Sequence, residues 1–459
     1  MARVPRLAYV GAVLPKRSET FVYREMLGLR ERGHDVLAVS LRTTPREEFA
    51  DDETLKALAA EAVVVYRRGF VARGLTEALR HPLRATRAKW RLFTAALQSG
   101  DLGLREWVRF PVQLLGGLAL ASDLRQRGVQ HLHAHMAHSP TTIAMVAADA
   151  LGAPFSFTGH AADLFRDRAL LKAKLRRAAF VACISEWHRG WYRDVEAELS
   201  DAQLPVVRCG VDLDAFAPDE PTSDERGLRE PVVLAVGRLV PKKGFDVLLR
   251  AWATWLQNHG FVAAATTDSD KRATAHREQP ATRSTGGVSG PICVIMGDGP
   301  EADALRALAQ DLRIGDHVQF TGAANQRQVR AAMRGCDVFT LPCQPARDGD
   351  RDGIPVVLME AMACGKPVIG GDLPAIRELL SDNSGARRVP PGNEVMLLAA
   401  LEELLQNSET RKEAGRLGRT RVAEEFSARV NLDRLEAAFA RSTEGAAHGR
   451  VLGGDPHHG

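Results

Sequence analysis

Short, largely apolar runs alternate with longer amphipathic stretches along this chain, and they do so in two separate series. "RLAYVGAV", "HDVLAVSL", "VQHLHAHM", "PFSFTGH" and "AFVACIS" form the first; "PVVLAVGRL", "PICVIMGD", "HVQFTG", "CDVFTLP" and "KPVIGG" form the second. Strands alternating with helices predict a parallel sheet covered on both faces. At 459 residues the chain is too long for one ordinary core. The expected fold is therefore α/β, with two Rossmann-like domains over 1–205 and 206–408. The turn-rich, charged stretch "APDEPTSDERGLREP" falls at the junction. Open α/β sheets bind ligands beyond the carboxyl ends of their strands, so a cleft between two such rows is expected.

Two stretches break the pattern. Residues 264–290 hold no Phe, Trp or Tyr and many Thr, Ser, Gly and charges, which predicts a disordered insertion. The tail 442–459 reads the same way, and its His457 and His458 form no ligand set without a fold to hold them.

Composition excludes several classes. A net charge of +4 is too weak to argue nucleic acid. Cysteines 183, 209, 293, 336, 343 and 364 show no CxxC and no metal spacing, which suits a reducing compartment. "LAYVGAVLP" reads as a first strand rather than a signal peptide, and "PVQLLGGLALAS" (111–122) is too short to span a bilayer. The expected location is cytoplasmic, at most on the cytoplasmic face of a membrane. From Arg67 to Arg109, ten Lys/Arg stand against three acids, interleaved with Phe70, Trp90, Phe93 and Trp107. That pattern suits an anionic membrane surface, although a solvated helical face would read similarly.

The chemistry concentrates in "RDGDRDGIPVVLMEAMACGKPVIGG" (347–371). Pro355 suits a first helical turn, Gly365 a C-terminal cap, and Pro367 follows it, so a helix over about 354–364 is expected. Its N-terminus, with Asp352 and Gly353 at the entry, is a ready anion site. Glu360 lies eight residues after Asp352, near one face and roughly 12 Å along the axis if the helix is continuous. One acid at each end suits an extended sugar–diphosphate–ribose ligand. Apolar neighbours bury Glu360, and a buried glutamate needs a reason. The stretch also contains DxD twice, through Asp348, Asp350 and Asp352, a pair that can hold a divalent cation. It lies past the strand end, where a chance match is the better account, and no metal is expected.

"VGRLVPKKGFDVLL" supplies the cations that a diphosphate needs: Arg238 at a strand end, after Gly237, and Lys243 in the loop beyond. Gly297 and Gly299 in "MGDGP" allow close backbone approach, or simply a tight turn. His131, His133 and His135 alternate onto one strand face, and with His138 they read as structural or cleft-lining rather than metal-binding. "SETF" opens the first helix, where Ser18 or Thr20 could cap it or, with Glu19, meet an acceptor.

In this order, "GRLVPKKGFDVLL", "IMGDGP" and "RDGIPVVLMEAMACGKPVI" resemble the retaining GT-B glycosyltransferases of family 4. "RSETFVYREM", "HLHAHMA" and "GHAADLF" resemble in particular the members that build exopolysaccharide of the colanic-acid type. The resemblance spans almost the whole chain and implies sugar transfer from a nucleoside diphosphate donor to a saccharide acceptor, lipid-linked or free. It implies no cofactor, and a helix over 409–441 packing back on the first domain. It assigns Arg238 and Lys243 to the donor diphosphate, the amides of Gly353 and Ile354 to its oxygens, and Glu360 to the ribose. His160 would contact the donor sugar, and Gly11 would admit the diphosphate. Asp352 stands where the family usually has glutamate, one methylene longer. A sugar-nucleotide epimerase and a non-catalytic nucleotide-sugar binding subunit are the rival readings.

Overall fold

The computed structural model describes residues 6–50, 52–99, 102–160, 168–218, 231–263 and 290–451. Two six-stranded sheets, all parallel, carry the chain. Residues 1–210 with 425–459 form one compact unit, and 211–424 form the other.

The first sheet contains β1 (Leu7–Gly11), β2 (Val36–Ser40), β3 (Val63–Val64), β4 (His131–His135), β5 (Phe155–Gly159) and β6 (Val181–Cys183). Their order is β3-β2-β1-β4-β5-β6. Every residue of β1, β4 and β5 is buried, as expected of parallel strands covered on both faces. Helices α1 (Thr20–Glu31), α2 (Glu53–Glu61), α3 (Phe70–Arg80), α4 (Pro82–Gln98), α5 (Leu104–Arg125), α6 (Ser139–Leu151), α7 (Leu171–Arg177) and α8 (Glu186–Val195) complete the unit up to residue 210.

The second sheet contains β7 (Val232–Val236), β8 (Ile292–Met296), β9 (Val318–Gly322), β10 (Val338–Leu341), β11 (Val368–Gly371) and β12 (Arg387–Val389), in the order β12-β11-β10-β7-β8-β9. Its helices are α9 (Phe245–Asn258), α10 (Ala302–Asp311), α11 (Gln326–Gly335), α12 (Val356–Ala363), α13 (Ile376–Leu379), α14 (Glu394–Gln406) and α15 (Ser408–Glu425). A last helix, α16 (Ala428–Val451), returns to the first unit. Both sheets have the doubly wound order, so each has one switch point: between β1 and β4 in the first, between β7 and β10 in the second.

The structure corrects several boundaries. The first unit extends to residue 210 rather than 205, and the second reaches 424 rather than 408. The segment 409–441 is not one helix. Its first part, α15, packs within the second unit, where Arg419 reaches the Ala363 carbonyl and Gly418 faces the Met362 side chain. Its second part, α16, packs on β1, β2 and α1 through Leu432, Leu435 and Phe439. The tail taken as disordered from 442 is helical through Val451; residues 452–459 lie outside the described residues, as does 264–289 of the insertion.

At the first helix the N-cap position falls on Glu19, whose side chain makes no capping bond, rather than on Ser18 or Thr20. Gly33 does end that helix: the His34 and Gly33 amides donate to the Leu29 and Arg30 carbonyls, closing the left-handed cap.

Candidate active site at two topological switch points

At the switch point of the second sheet, the loops after β7 and β10 bring lysine and aspartate together. The β7 loop runs through half-buried Gly237 and exposed Arg238 into a 3₁₀ turn, Pro241–Lys243. The β10 loop runs from Pro342 to Pro355. Lys243 Nζ lies 2.8 Å from one Asp352 carboxylate oxygen, and Lys242 Nζ lies 3.4 Å from the other. Lys242 also pairs with Asp350 at 3.1 Å. Cys343 donates its S–H to Asp352 at 3.2 Å. Burial opposes the charge on Asp352, but Lys243 and Lys242 more than reverse that and hold its carboxyl below the usual range. Burial likewise opposes the charge on Lys243, and Asp352 overturns it, raising the ammonium pKa. Burial, then Asp352, pushes the Cys343 thiol well up, so it stays protonated.

Helix α12 begins at Val356, not at 354. Pro355 is its N-cap, because its ψ of 125° is extended. Asp352 therefore precedes the helix and is pinned by lysines rather than set on one helical face with Glu360. Gly353 and Ile354, both buried, connect it to the helix entry. Glu360 is buried within an otherwise apolar helix, as its neighbours implied. The helix ends at Gly365, φ +70°, with the Lys366 amide on the Ala361 carbonyl and the Gly365 amide on the Met362 carbonyl.

The glycines of "MGDGP" have a packing explanation. A Cβ on Gly297, φ +150°, would lie 1.9 Å from the Gly237 carbonyl oxygen, and one on Gly299 would lie 2.4 Å from that of Leu239. The two loops are backbone against backbone, joined by Leu239 donating to Asp298 and Gly237 to Met296. Gly297 and Gly299 thus seat the loop that carries Arg238.

At the switch point of the first sheet the groups are histidines, hydroxyls and one glutamate bonded to one another. Gly11 is the last residue of β1, inside the strand rather than in the loop beyond it. His131, His133 and His135 share one face, as alternation requires. Ser156 Oγ lies 2.7 Å from both His131 Nε2 and His133 Nδ1, and His133 Nε2 lies 3.0 Å from Thr158 Oγ1. His135 reaches Glu25 at 3.1 Å through Nε2 and His160 at 3.2 Å through Nδ1. Tyr9 donates to the same Glu25 oxygen at 2.8 Å. One tautomer set fits this chain: His160 Nε2–H donates to His135 Nδ1, and His135 Nε2–H donates to Glu25. Burial lowers the His131 pKa to about 3, and burial followed by the neighbouring histidines lowers those of His133 and His160 well below the ordinary value.

Glu25, His133 and His135 are also the one group among the described residues whose donor atoms cluster as metal ligands would. Each of those atoms already has a hydrogen-bond partner, which favours the bonded network. His138 accepts from the Ser139 amide at the N-terminus of α6. Beside it, Arg109, Phe110, Gln113, Thr142 and Lys174 line a pocket. Lys174 is fully buried and donates to the carbonyls of Ala137 and Ala169 at 2.6 and 2.8 Å. Gln113 donates to Ser139 Oγ at 3.2 Å, while its own oxygen has no protein partner. The only sequence signal for this pocket was one polar residue, Gln113, within the apolar run 111–122. Glu19 and Thr20 are half-buried at the start of α1.

Comparison with known proteins matches residues 288–421 to a family described as glycosyl transferases group 1. Residues 288–421 hold Asp350, Asp352, Glu360 and the MGDGP turn, whereas Arg238, Lys242 and Lys243 precede them. Over 231 residues the chain is 31% identical to the GDP-mannose-dependent alpha-(1-6)-phosphatidylinositol monomannoside mannosyltransferase of Mycobacterium tuberculosis, covering 49% of this chain and 52% of that one. It is 27% identical over 240 residues to the amylovoran biosynthesis glycosyltransferase AmsK of Erwinia amylovora, covering 52% and 51%. The chain thus spans about half the length of the curated relatives it matches. Among solved structures, a glycosyltransferase from Rickettsia africae superposes with a TM-score of 0.65 over 97% of this chain and all of that one, at 15% identity. Anabaena Alr3699/HepE in complex with UDP gives 0.64 over 95% of this chain and all of that one, at 14% identity. The architecture is GT-B.

Proposed function

We propose that this chain is a retaining glycosyltransferase that moves a sugar from a nucleoside diphosphate donor to a saccharide acceptor, free or lipid-linked, in the assembly of a polysaccharide or glycolipid. The observation that carries this reading is the charged switch point: Lys242 and Lys243 gathered on Asp350 and Asp352, with Arg238 exposed at the end of β7. A leaving diphosphate needs preorganised cations, and Arg238 and Lys243 supply a fork and a point charge. Glu360 accepts from the ribose hydroxyls, and the amides of Gly353 and Ile354 face phosphate oxygens. The acceptor hydroxyl oxygen bonds to the anomeric carbon as the carbon–oxygen bond to phosphate breaks. Its proton passes to a phosphate oxygen on the same face, which retains configuration.

No metal is needed in this scheme, because Asp350 and Asp352, two of the three DxD aspartates, are engaged by ammonium groups. The same engagement speaks against an epimerase, which needs a free acid and base at the sugar. His160, backed by His135 and Glu25, meets the donor sugar; Glu19 and Thr20, with Ser18, meet the acceptor. The enzyme works at the cytoplasmic face of a membrane when its acceptor is carried on lipid.

Incubating the purified chain with a panel of radiolabelled nucleoside diphosphate sugars and saccharide acceptors tests the reading. Labelled product with the donor's anomeric configuration is expected. Saturable donor binding without transfer or hydrolysis would make it a binding subunit, and recovery of an epimerised donor would make it an epimerase.

A further inference from the structure

Helices α3, α4 and α5 each have two apolar sides, and packing accounts for only one of them. Their inner sides carry Gly74, Ala88, Leu92 and Leu118, all buried. Their outer sides carry a second set at helical spacing. On α3 these are Val71, Leu75 and Leu79, four apart; on α4, Leu83, Trp90 and Leu97, seven apart, with Phe93 between; on α5, Leu104, Val108 and Val112, four apart, beside Trp107. Leu79 and Leu83, at the corner joining α3 to α4, are 82% and 85% exposed. Among the described residues, eleven of the fourteen exposed large apolar side chains fall between Val71 and Val112. The stripes join into one face: the rings of Trp90 and Phe93 lie 5.9 Å apart, and those of Phe93 and Trp107 lie 6.4 Å apart. Soluble monomers rarely leave so contiguous an apolar patch in water unless something covers it.

The charges on the same helices say what the cover is. Arg68, Arg80, Arg87, Lys89, Arg105 and Arg109 are exposed, and none makes an ion pair among the described residues. The acids of the stretch do little to offset them. Glu77 is buried against Arg125, which leaves Glu106 among the described residues. A second copy of this chain would bring arginine against arginine. We infer that the outer face of α3–α5 docks on an anionic lipid bilayer, with the three helices lying flat in the headgroup layer. The leucines and tryptophans enter the acyl boundary, and the arginine and lysine stems extend sideways to lipid phosphates. No helix of the described residues is long and apolar enough to cross a membrane, so the contact is peripheral. This deepens the lipid-linked acceptor reading by naming the surface that meets the lipid, but its test reads no chemistry and survives a failure to transfer sugar.

Flotation of the full-length chain decides it, using vesicles of phosphatidylcholine alone and vesicles containing about one third phosphatidylglycerol. The wild type should float with the anionic vesicles only, and high salt should weaken that binding at least about tenfold as the charges are screened. The double variant Leu79→Glu/Leu83→Glu should lose at least about tenfold in vesicle binding while keeping its circular dichroism spectrum, because both side chains already face water. The double variant Arg87→Glu/Lys89→Glu should lose about fivefold for each lysine or arginine removed. Failure of the wild type to float with either vesicle would overturn the inference, as would equal flotation of the leucine variant. So would sedimentation showing a wild-type dimer that the leucine substitutions disperse, since the face would then cover a second copy.

Discussion

The two sheets share one strand order, yet their switch points are built from opposite materials. Beyond β7 and β10 the groups are charged and paired, with lysine against aspartate and Arg238 left outside. At β1 and β4 they are a hydrogen-bonded set, with histidines on serine, threonine and one glutamate that also accepts from Tyr9. Burial holds His131, His133 and His160 uncharged. A topology therefore fixes where a site lies and leaves its chemistry to the loops and strand ends. Fixed charge suits a ligand that arrives and leaves as an anion. A network of neutral donors and acceptors suits hydroxyl groups, which can be bonded in either direction.

The sharpest way to break this contrast is to remove the exposed charge. Arg238→Ala should lower transfer by about 10²–10³-fold, as expected for a group that stabilises a leaving anion, with no change in melting temperature. Glu360→Ala should abolish transfer in a protein that remains folded, as judged by circular dichroism. Full activity in either variant would remove the charged switch point from the reaction.

Acid should separate the two units. His131 is held neutral to about pH 3 when folded, whereas it ionises near its ordinary value when unfolded. The unfolded state therefore binds the extra proton, and stability falls as pH drops below about 6.5, by on the order of 3 kcal/mol at pH 4 for one such histidine. Asp352 behaves differently. Its folded pKa is depressed, so its contribution persists down to the usual carboxylate range and is lost only below it. Pulsed hydrogen exchange at pH 4.5 should thus find 1–210 opening before 211–424. The reverse order would contradict the neutral-network assignment.

Asp352→Asn should cost about 2 kcal/mol, because it strands the largely buried Lys243 ammonium and leaves Lys242 with Asp350 alone; thermal melts at neutral pH check this. Asp352→Glu tests fit more finely. The lysines already fix the shorter carboxylate, so the longer side chain should crowd the donor and lower transfer severalfold, read from donor kinetics. The smallest effect expected is that of chelation: EDTA should change transfer by less than about twofold, since ammonium groups do the work a divalent cation would do. Strict dependence on Mn²⁺ would return the aspartates to a metal.

Much of this could be read from residue order. Ten strands follow from short apolar runs between helical stretches, but β3 is only two residues long and β12 is Arg-Arg-Val, so no apolar run announces them. Glu360 was legible because a charge inside "VVLMEAMA" is an anomaly. Lys242 was not, because adjacent lysines in a turn look alike until one is seen buried between two aspartates. Glu25 was hidden for a related reason. It sits among ordinary polar residues of an amphipathic helix, and only the sheet beneath, 110 positions away, makes it a histidine partner.

Helix α16 closes the first unit with residues made after the whole of the second. Phe439 lies against His131, His133 and Phe180, with ring centroids 5.2, 5.5 and 5.2 Å away, and Arg32 pairs with Asp433 and Glu436. The histidine face of the first sheet therefore has no lid while the ribosome is still building 211–424. The unit that begins first finishes second, and one side of its sheet must wait with α1 and α2 in place but α16 missing through the synthesis of some two hundred further residues. A chain that stalls before Phe439 leaves the tunnel presents that face to chaperones and proteases, so synthesis of α16 is itself a checkpoint on the first unit.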